Sequence, residues 1–277
     1  MKKLLLLLVF SLIAATVYAE TIFTIKDFRG HQQGMTVDES SIYSSFTYEI
    51  VKFDFTGKVI CRIPAPFHSG DLTTDGKKLY CAVALRHEEL IKKHGASSCI
   101  FIYNKNLELL EIKPLPHLSG IDGIAYLKGK FYLALNDLGS ARRMENRIAI
   151  LDSNFNVLKI ATVTIGSLTR FGAQTLNPFN GKLLAGFYGG RGNSFIFDPD
   201  ELENSTSTVK PMGSIPADTS VGFSELPAAA TAAPGKIFIV ARNTRAVDPV
   251  SKRRKSGVKF LIQRLDKAGK LVPASLK

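Results

Sequence analysis

A pattern of four short β-strands recurs five times along the chain, and this repeat constrains the fold more than any other feature. Each copy opens with glycine and small or apolar residues, then has two strands joined by a turn, a variable insert and two further strands. Turns of the Asp-Gly, Thr-Gly, Asn-Gly or Ala-Gly type separate strands rich in β-branched and aromatic residues. The copies begin at Gly34, Gly70, Ile121, Phe171 and near Val221.

Four antiparallel strands repeated every ~40–50 residues predict the blades of a β-propeller, an all-β fold. Five four-stranded blades match the five copies, and six blades are the alternative. A β-sandwich also has many short strands, but it would not repeat one four-strand unit. We expect the strand at residues 21–28 to pair with the last copy and close the ring, so that residues 20–277 form a single domain.

Residues 1–19 have the features of a secretory signal peptide. Lys2 and Lys3 precede an apolar stretch that ends in small residues, and cleavage after Ala19 would leave Glu20 as the first residue. An uncleaved membrane anchor is the alternative, although the stretch is shorter than the ~20 apolar residues of a spanning helix. We therefore expect a secreted or periplasmic protein with no transmembrane segment after cleavage.

Two segments of the third copy resemble a known group of propellers. Gly120-Ile121-Asp122-Gly123-Ile124-Ala125 and Gly129-Lys130-Phe131-Tyr132-Leu133-Ala134 look like the blade opening of NHL, YncE-like and gluconolactonase-like propellers. Gluconolactonase-type members hold a divalent cation in the central channel with Glu, Asn and Asp from different blades, but this chain does not match that ligand set position by position.

A fainter resemblance is to the five-bladed glutaminyl cyclases of plants and bacteria. It rests on Gln33-Gly34-Met35 and Ile42-Tyr43-Ser44 in the first copy. The chain departs from those enzymes at Ser44, where they carry an acidic residue.

The predicted topology separates two ends of the propeller, because strands within a blade run alternately up and down. Short turns join the first strand to the second and the third to the fourth. The other connections are long and meet at the opposite end, which we call the elaborated face; they include residues 86–98, 136–146, 188–192 and 243–257. Long loops on a rigid scaffold commonly carry function, so we expect the site on the elaborated face.

Polar residues at the blade-to-blade connections are the candidates for that site. The ligand-binding candidates are His31, Gln32, Gln33, His117, Arg170 and Gln174. The catalytic candidates are His68, Asp71, Asp122 and Glu225. Histidines with a carboxylate could hold zinc, and calcium is a second possible cation; the metal-ligand candidates are His31, His68, His117 and Asp71. Alternatively, these histidines bond backbone groups at the blade junctions.

The net charge of +12 indicates the chemistry of the partner. Removing residues 1–19 takes away two lysines and no acidic residue, so a net charge of +10 remains. Many basic side chains fall in the long inserts, including Arg86 and the run from Lys252 to Lys255. We expect an anionic small molecule, an acidic polysaccharide or a protein partner, and we expect a monomer. Nucleic acid is excluded as a partner by the export signal and the lack of a recognition module.

Three cysteines, Cys61, Cys81 and Cys99, cannot form a disulfide scaffold, so an apolar core must stabilise the fold. They leave open either one disulfide with one spare thiol or three buried free thiols.

Two functions fit these features. The first is a secreted propeller that binds an anionic or saccharide ligand, or a partner protein, through its basic elaborated face. The second is a metal-assisted hydrolase or lactonase-like enzyme that uses the same central mouth. The sequence favours binding, because it specifies no catalytic set and a fold alone does not confer activity.

Overall fold

The computed structural model of the chain describes residues 22–25, 30–65, 69–136, 141–188, 194–215, 228–232, 237–247, 254–265 and 271–273. The described residues form antiparallel sheets and two short helices, which confirms the all-β prediction. No helix within these ranges is long and apolar enough to span a membrane. The predicted signal peptide, residues 1–19, lies outside the described residues.

The first two predicted copies are two separate four-stranded meanders. After a short strand, β1 (Ile22–Ile25), the first sheet contains β2 (Gln32–Val37), β3 (Ile42–Phe46), β4 (Glu49–Phe53) and β5 (Val59–Pro64). The second sheet contains β6 (Ser69–Thr74), β7 (Leu79–Ala84), the helix α1 (Glu88–His94), β8 (Ser98–Tyr103) and β9 (Leu109–Pro114). In the first sheet every residue of β2 and β3 is buried, whereas β5 alternates between half-buried and exposed residues. The fourth strand of this sheet is therefore on the outside, and its first strand adjoins the first strand of the next sheet.

The third and fourth copies share one long strand and so form a seven-stranded sheet. Its elements are β10 (Ile121–Leu127), β11 (Lys130–Leu135), β12 (Arg143–Leu151), β13 (Val157–Phe179), β14 (Lys182–Tyr188), β15 (Ser194–Phe197), the helix α2 (Pro199–Asn204) and β16 (Gly213–Ile215). The beginning of β13 pairs with β12, and its end pairs with β14. Arg170 lies at the predicted connection between these two copies, since Thr169 pairs with Arg143 of β12 and Arg170 pairs with Tyr188 of β14. The connection is continuous strand, however, because both residues lie within β13.

The last sheet joins the two ends of the chain. It contains β17 (Ala228–Ala232), β18 (Ile237–Val247), β19 (Arg254–Leu265) and β20 (Leu271–Pro273). Strand β1 pairs with β19, as the sequence predicted for the strand at residues 21–28. The predicted opening of this copy near Val221 lies outside the described residues, and the strand that pairs with β18 is β17.

Two long inserts were predicted as loops but are partly extensions of the sheet. Strand β12 already begins at Arg143, inside the insert 136–146. Strands β18 and β19 remain paired out to Val247 and Arg254, inside the insert 243–257. Backbone hydrogen bonding thus continues beyond the point where the apolar pattern of the repeat ends.

Asx turns connect the third strand to the fourth strand in each of the first three copies. The side chains of Asp54, Asn104 and Asp152 each accept hydrogen bonds from the backbone N–H groups two and four residues ahead. A residue with positive φ follows in each turn: Gly57 (88°), Leu107 (65°) or Phe155 (68°). An Asx side chain supports this geometry locally, so the turns were predictable from sequence.

The innermost strands adjoin one another in chain order, β2 beside β6, β6 beside β10 and β10 beside β13. Strand β17 adjoins both β13 and β2. The apolar cluster of the first sheet includes Phe260 of β19, whose ring lies 5.5 Å from that of Phe53. The sheets thus pack face to face around a common axis, which is a β-propeller-like arrangement.

Candidate functional site

Four inner strands carry an irregularity at the same place. In β2, β6, β10 and β13, a register shift lies near the start of the pairing with the next strand of the chain. Aligned on these shifts, Gln33, Gly70, Asp122 and Gln174 occupy one equivalent position, and Met35, Leu72, Ile124 and Leu176 another. The first position lies toward the elaborated face, where the inner strands begin. The second position lies deeper on the axis.

Asp71 is fully buried at that deeper level. Its Oδ1 accepts the backbone N–H groups of Met35 (3.1 Å) and Leu72 (2.8 Å), and its Oδ2 accepts that of Leu176 (2.8 Å). Burial raises the pKa of Asp71 well above its usual range, while these N–H groups and that of Ile124 oppose the rise. Both carboxylate oxygens of Asp71 accept hydrogen bonds from backbone N–H groups, so this side chain has a structural role and is not available as a catalytic acid.

Asp122 lies at the first of the two positions, nearer the elaborated face than Asp71, and we call this end of the axis the mouth. Its Oδ2 accepts hydrogen bonds from Asn136 Nδ2 and Gln174 Nε2, each at 3.1 Å. No hydrogen bond from a described residue reaches Oδ1. Burial raises the pKa of Asp122 to about 6, and the two amides and the charge of Arg86 act in the opposite direction. We call Asp122, Asn136 and Gln174 the mouth cluster.

Some buried side-chain atoms of the described residues have no hydrogen-bond partner. They include Asn136 Oδ1, which belongs to the mouth cluster, and Asn146 Nδ2 and Ser98 Oγ. A buried polar atom without a hydrogen bond costs about 1–3 kcal/mol, so such atoms indicate a place where water or a ligand binds. These three side chains lie at the elaborated ends of the second and third sheets.

Two residues beside the mouth cluster have positive φ angles. Phe171 has φ 59° and Gly172 has φ 71°, although both lie within β13. The carbonyl of Phe171 accepts Gln174 Nε2 at 2.8 Å. A Cβ at Gly172 would lie 2.8 Å from the carbonyl oxygen of Leu135, so the strand can pass only with glycine here. Non-glycine residues at positive φ are uncommon and often occur at functional sites.

The first inner strand adds a separate polar pair. Gln33 is buried, and its Nε2 lies 2.9 Å from His31 Nε2, while His31 Nδ1 lies 3.2 Å from Thr47 Oγ1. An amide nitrogen can only donate, so the neutral imidazole accepts on Nε2 and carries its proton on Nδ1. Neighbouring Gln32 donates to Ser44 Oγ at 2.8 Å.

Ser44 is the residue at which the sequence departs from its resemblance to the glutaminyl cyclases. It is fully buried, and its hydroxyl donates to the carbonyl of Gly34 at 3.0 Å. Ser44 therefore fixes the inner strand.

The remaining predicted residues do not gather at one point. His117 is exposed in a turn, and Arg170 is exposed with its guanidinium 5.3 Å from the Phe171 ring. His68 and Glu225 lie outside the described residues. No group of three His, Cys, Asp or Glu side chains suited to a metal occurs among the described residues. The zinc or calcium site therefore remains a prediction.

Sequence reasoning missed Asn136 as a member of the site. Asn136 follows β11 directly, and its own N–H is held by the carbonyl of Gly120 at 2.5 Å. The sequence shows that Asn136 is the first residue of a long insert, but it does not show that its side chain bonds to Asp122.

Among the comparisons with known proteins, the similarity to a solved glutaminyl cyclase agrees with the propeller-like fold. No protein-family model matches the sequence, and no curated protein sequence matches it. The crystal structure of Myxococcus xanthus glutaminyl cyclase is similar, with a TM-score of 0.54 and 15% identity over 91% of this chain and 98% of that one. The Neurospora crassa Pan2 WD40 domain has a TM-score of 0.43, with 8% identity over 88% of this chain and 65% of that one. A Bacteroides caccae protein of unknown function has a TM-score of 0.41, with 11% identity over 82% and 89%.

Proposed function

We propose that the protein binds a small hydroxylated acid, such as an acidic saccharide, at the mouth cluster. The observation that carries this proposal is the pair of acceptor oxygens, Asp122 Oδ1 and Asn136 Oδ1, that lack hydrogen bonds from the described residues. Ligand hydroxyl groups would donate to this pair. Gln174 and Asn136 already hold Oδ2, so the carboxyl group is oriented before a ligand arrives.

The basic surroundings suit the acidic end of such a ligand. The positive charge of Arg86 lowers the pKa of Asp122, so this arginine acts electrostatically on the mouth cluster. Arg143 and Arg147 lie on β12 beside Asn146, and the partial burial of Arg143 lowers its pKa. Guanidinium groups favour carboxylates because they offer several donors in one plane.

Calorimetric titration with D-glucuronate and with D-glucose tests this proposal. We expect glucuronate to bind more tightly, and we expect its affinity to fall as sodium chloride is raised. The variants Asp122→Asn and Arg86→Ala should weaken binding at least tenfold. Lys77→Ala is the matched control, because this lysine lies in a turn at the opposite end. Equal affinities for the two sugars, or unchanged binding in both mouth variants, would contradict the proposal.

A second candidate function is acid–base chemistry on an N-terminal glutamine. It is favoured by the buried carboxyl of Asp122, whose pKa of about 6 suits proton transfer near neutral pH, and by the fold similarity to a glutaminyl cyclase. Incubation with a peptide that begins with glutamine should then release ammonia, and Asp122→Asn should abolish the release. Elemental analysis of the same purified protein tests the metal-assisted hydrolase, which requires stoichiometric zinc or calcium.

We further propose that the fold is a five-bladed ring closed by the N-terminal strand. The pairing of β1 with β19 and the proximity of β17 to both β13 and β2 support closure. A chain that starts at residue 30 should then be less stable than one that starts at Glu20, because the edge of β19 loses its partner. Equal stability of the two chains would contradict this closure.

We also propose that the protein is exported. The support is the basic, apolar and small-residue pattern of residues 1–19. Mass spectrometry of the mature protein should find Glu20 as its first residue.

A further inference from the structure

Three backbone N–H groups donate hydrogen bonds to one carboxylate on the axis of the fold. The donors belong to Met35, Leu72 and Leu176, the equivalent residues of three inner strands, and the acceptor is Asp71. The three donor–acceptor distances run from 2.8 to 3.1 Å. Strands β2, β6 and β13 each contribute one donor from the same position of the repeat.

The strands around this carboxylate approach so closely that they have room only for glycine at two positions. A Cβ at Gly34 would lie 2.0 Å from Asp71 Oδ1 and 2.4 Å from its Cα. A Cβ at Gly70 would lie 2.5 Å from the carbonyl oxygen of Asp122. The inner strands therefore approach so closely that the position holds one carboxylate and little more.

No cation neutralises this carboxylate among the described residues. None of the ion pairs there involves Asp71, and its hydrogen bonds come from main-chain groups. Converging backbone N–H groups form anion-binding sites without any charged side chain. The donors, the fit and the lack of a paired cation thus describe an anion site built from backbone.

We propose that the axis of this protein is an anion-binding site formed by the N–H groups of three inner strands, with the Asp71 carboxylate as its built-in anion. Asp71 is then a positioning residue for the mouth. Each donor lies two residues after a mouth position, occupied by Gln33, Gly70 or Gln174. By holding all three donors, Asp71 sets where these residues lie. This proposal is independent of which ligand the mouth binds.

The test is rescue of Asp71→Ala by a free anion. The variant keeps the donors and leaves a space the size of a carboxylate, which formate can fill. We expect a lowered Tm that rises saturably with sodium formate. Formate at about ten times its Kd should raise the folding equilibrium constant about tenfold. Sodium pivalate at the same concentration is too bulky for the site and should have no such effect.

Two further variants separate anion binding from a general loss of packing. Asp75→Ala is the matched control: Asp75 also accepts two backbone N–H groups, from Lys77 and Lys78, but at a surface turn where water can replace it. Formate should not rescue Asp75→Ala. The asparagine of Asp71→Asn fills the site, but its NH2 group would face backbone N–H groups, and both are hydrogen-bond donors. This variant should therefore be less stable than wild type and insensitive to formate.

If Asp71→Ala does not fold unaided, refolding yield from denaturant replaces Tm as the measurement. We expect formate, and not pivalate, to restore folded protein. Equal effects of the two anions, formate rescue of Asp75→Ala to the same degree, failure of refolding with either anion, or wild-type stability of Asp71→Asn would each overturn the proposal.

Discussion

The backbone N–H of Leu176 donates a hydrogen bond of 2.8 Å to Asp71 Oδ2, across 105 residues of chain. This bond joins the second and fourth copies of the repeat directly through the axis. It requires inner strands close enough for a short side chain to bridge them, and the glycines on those strands permit that approach.

Gly34→Ala should be strongly destabilising for this reason. The added Cβ would overlap Asp71, whose backbone cannot move without disturbing its other hydrogen bonds. Overpacking of this kind costs about 1–3 kcal/mol or more. Urea unfolding measures the loss. Gly213→Ala is the control, since nothing lies within 4 Å of a Cβ there; equal effects of the two changes would refute the close approach.

Asp122→Asn should change how stability depends on pH. The folded pKa of Asp122, about 6, is above its ordinary value of 3.8, so ionisation of this carboxyl disfavours the folded state. This loss in the free energy of unfolding is absent below about pH 4, increases up to about pH 6 and is constant above that pH. It reaches about 3 kcal/mol, because each pKa unit corresponds to about 1.4 kcal/mol. The variant should therefore gain stability relative to wild type as pH rises from 4 to 7.

Urea unfolding at several pH values measures this difference. Asp200→Asn, which removes an exposed carboxylate, is the control. A constant difference between Asp122→Asn and wild type over this range would show that burial does not raise the pKa of Asp122.

Tyr132→Phe should loosen helix α2 from the sheet. The Tyr132 hydroxyl donates to Glu203 Oε1 at 2.6 Å, and Lys130 binds the other carboxylate oxygen. A hydrogen bond to a charged group contributes about 1.5–3 kcal/mol, so the variant should lose stability of that order. A double-mutant cycle with Glu203→Gln measures the coupling by urea unfolding. Additive losses would mean that the two side chains do not interact.

Only one of the three cysteines should react readily in the folded protein. All three are free thiols in the structure, which answers the question that the sequence left open. Burial raises the pKa of Cys81 to about 12 and that of Cys99 to about 11, so almost no thiolate forms. Cys61 is half-buried. A chromogenic disulfide reagent should count one thiol before unfolding and three afterwards.

Cys61→Ser is the control for this count, and it should leave no fast-reacting thiol in the folded state. A total of one thiol after unfolding without reductant would reveal a disulfide.

Lys128→Asn should stabilise the turn between β10 and β11. Lys128 has φ 51° and is followed by Gly129 at 80°, and Asn180 and Gly181 adopt the same pair of angles in the next turn of this type, at 48° and 74°. Asparagine tolerates positive φ better than lysine, so a gain of about 0.5–1 kcal/mol is expected from thermal unfolding. The exposed ion pair of Lys128 with Asp200 contributes little. The reciprocal change, Asn180→Lys, should destabilise; a gain there would contradict the argument.

Much of the architecture could be predicted because its signals are local. Alternating apolar residues, Asx turns and glycine turns placed nearly every strand of the first three copies within a few residues. The errors fall where local signals are weak. Strand β13 runs through the junction at Thr169 and Arg170, because hydrogen bonding to two different sheets continues where the apolar pattern changes. The fourth strand of that copy is only Gly213–Ile215, after a helix that the repeat did not predict.

The site was only partly predictable, since it depends on contacts between distant residues. Asp122 and Gln174 were candidates from their positions in the repeat, and the structure brings them together across 52 residues. His31 and Asp71 were proposed as metal ligands, but their polar atoms bond within the fold.

The sequence by itself determined the repeat, the strand order within each copy and the excess of positive charge, because each follows from residue spacing and residue type. Only the tertiary structure decided that Asp71 meets the N–H groups of three strands, and that Asp122 keeps one carboxylate oxygen without a hydrogen bond from the described residues. The physical reason is burial: the environment of a carboxylate, and hence its charge and partners, is set by chain segments far away in sequence that folding brings to the axis.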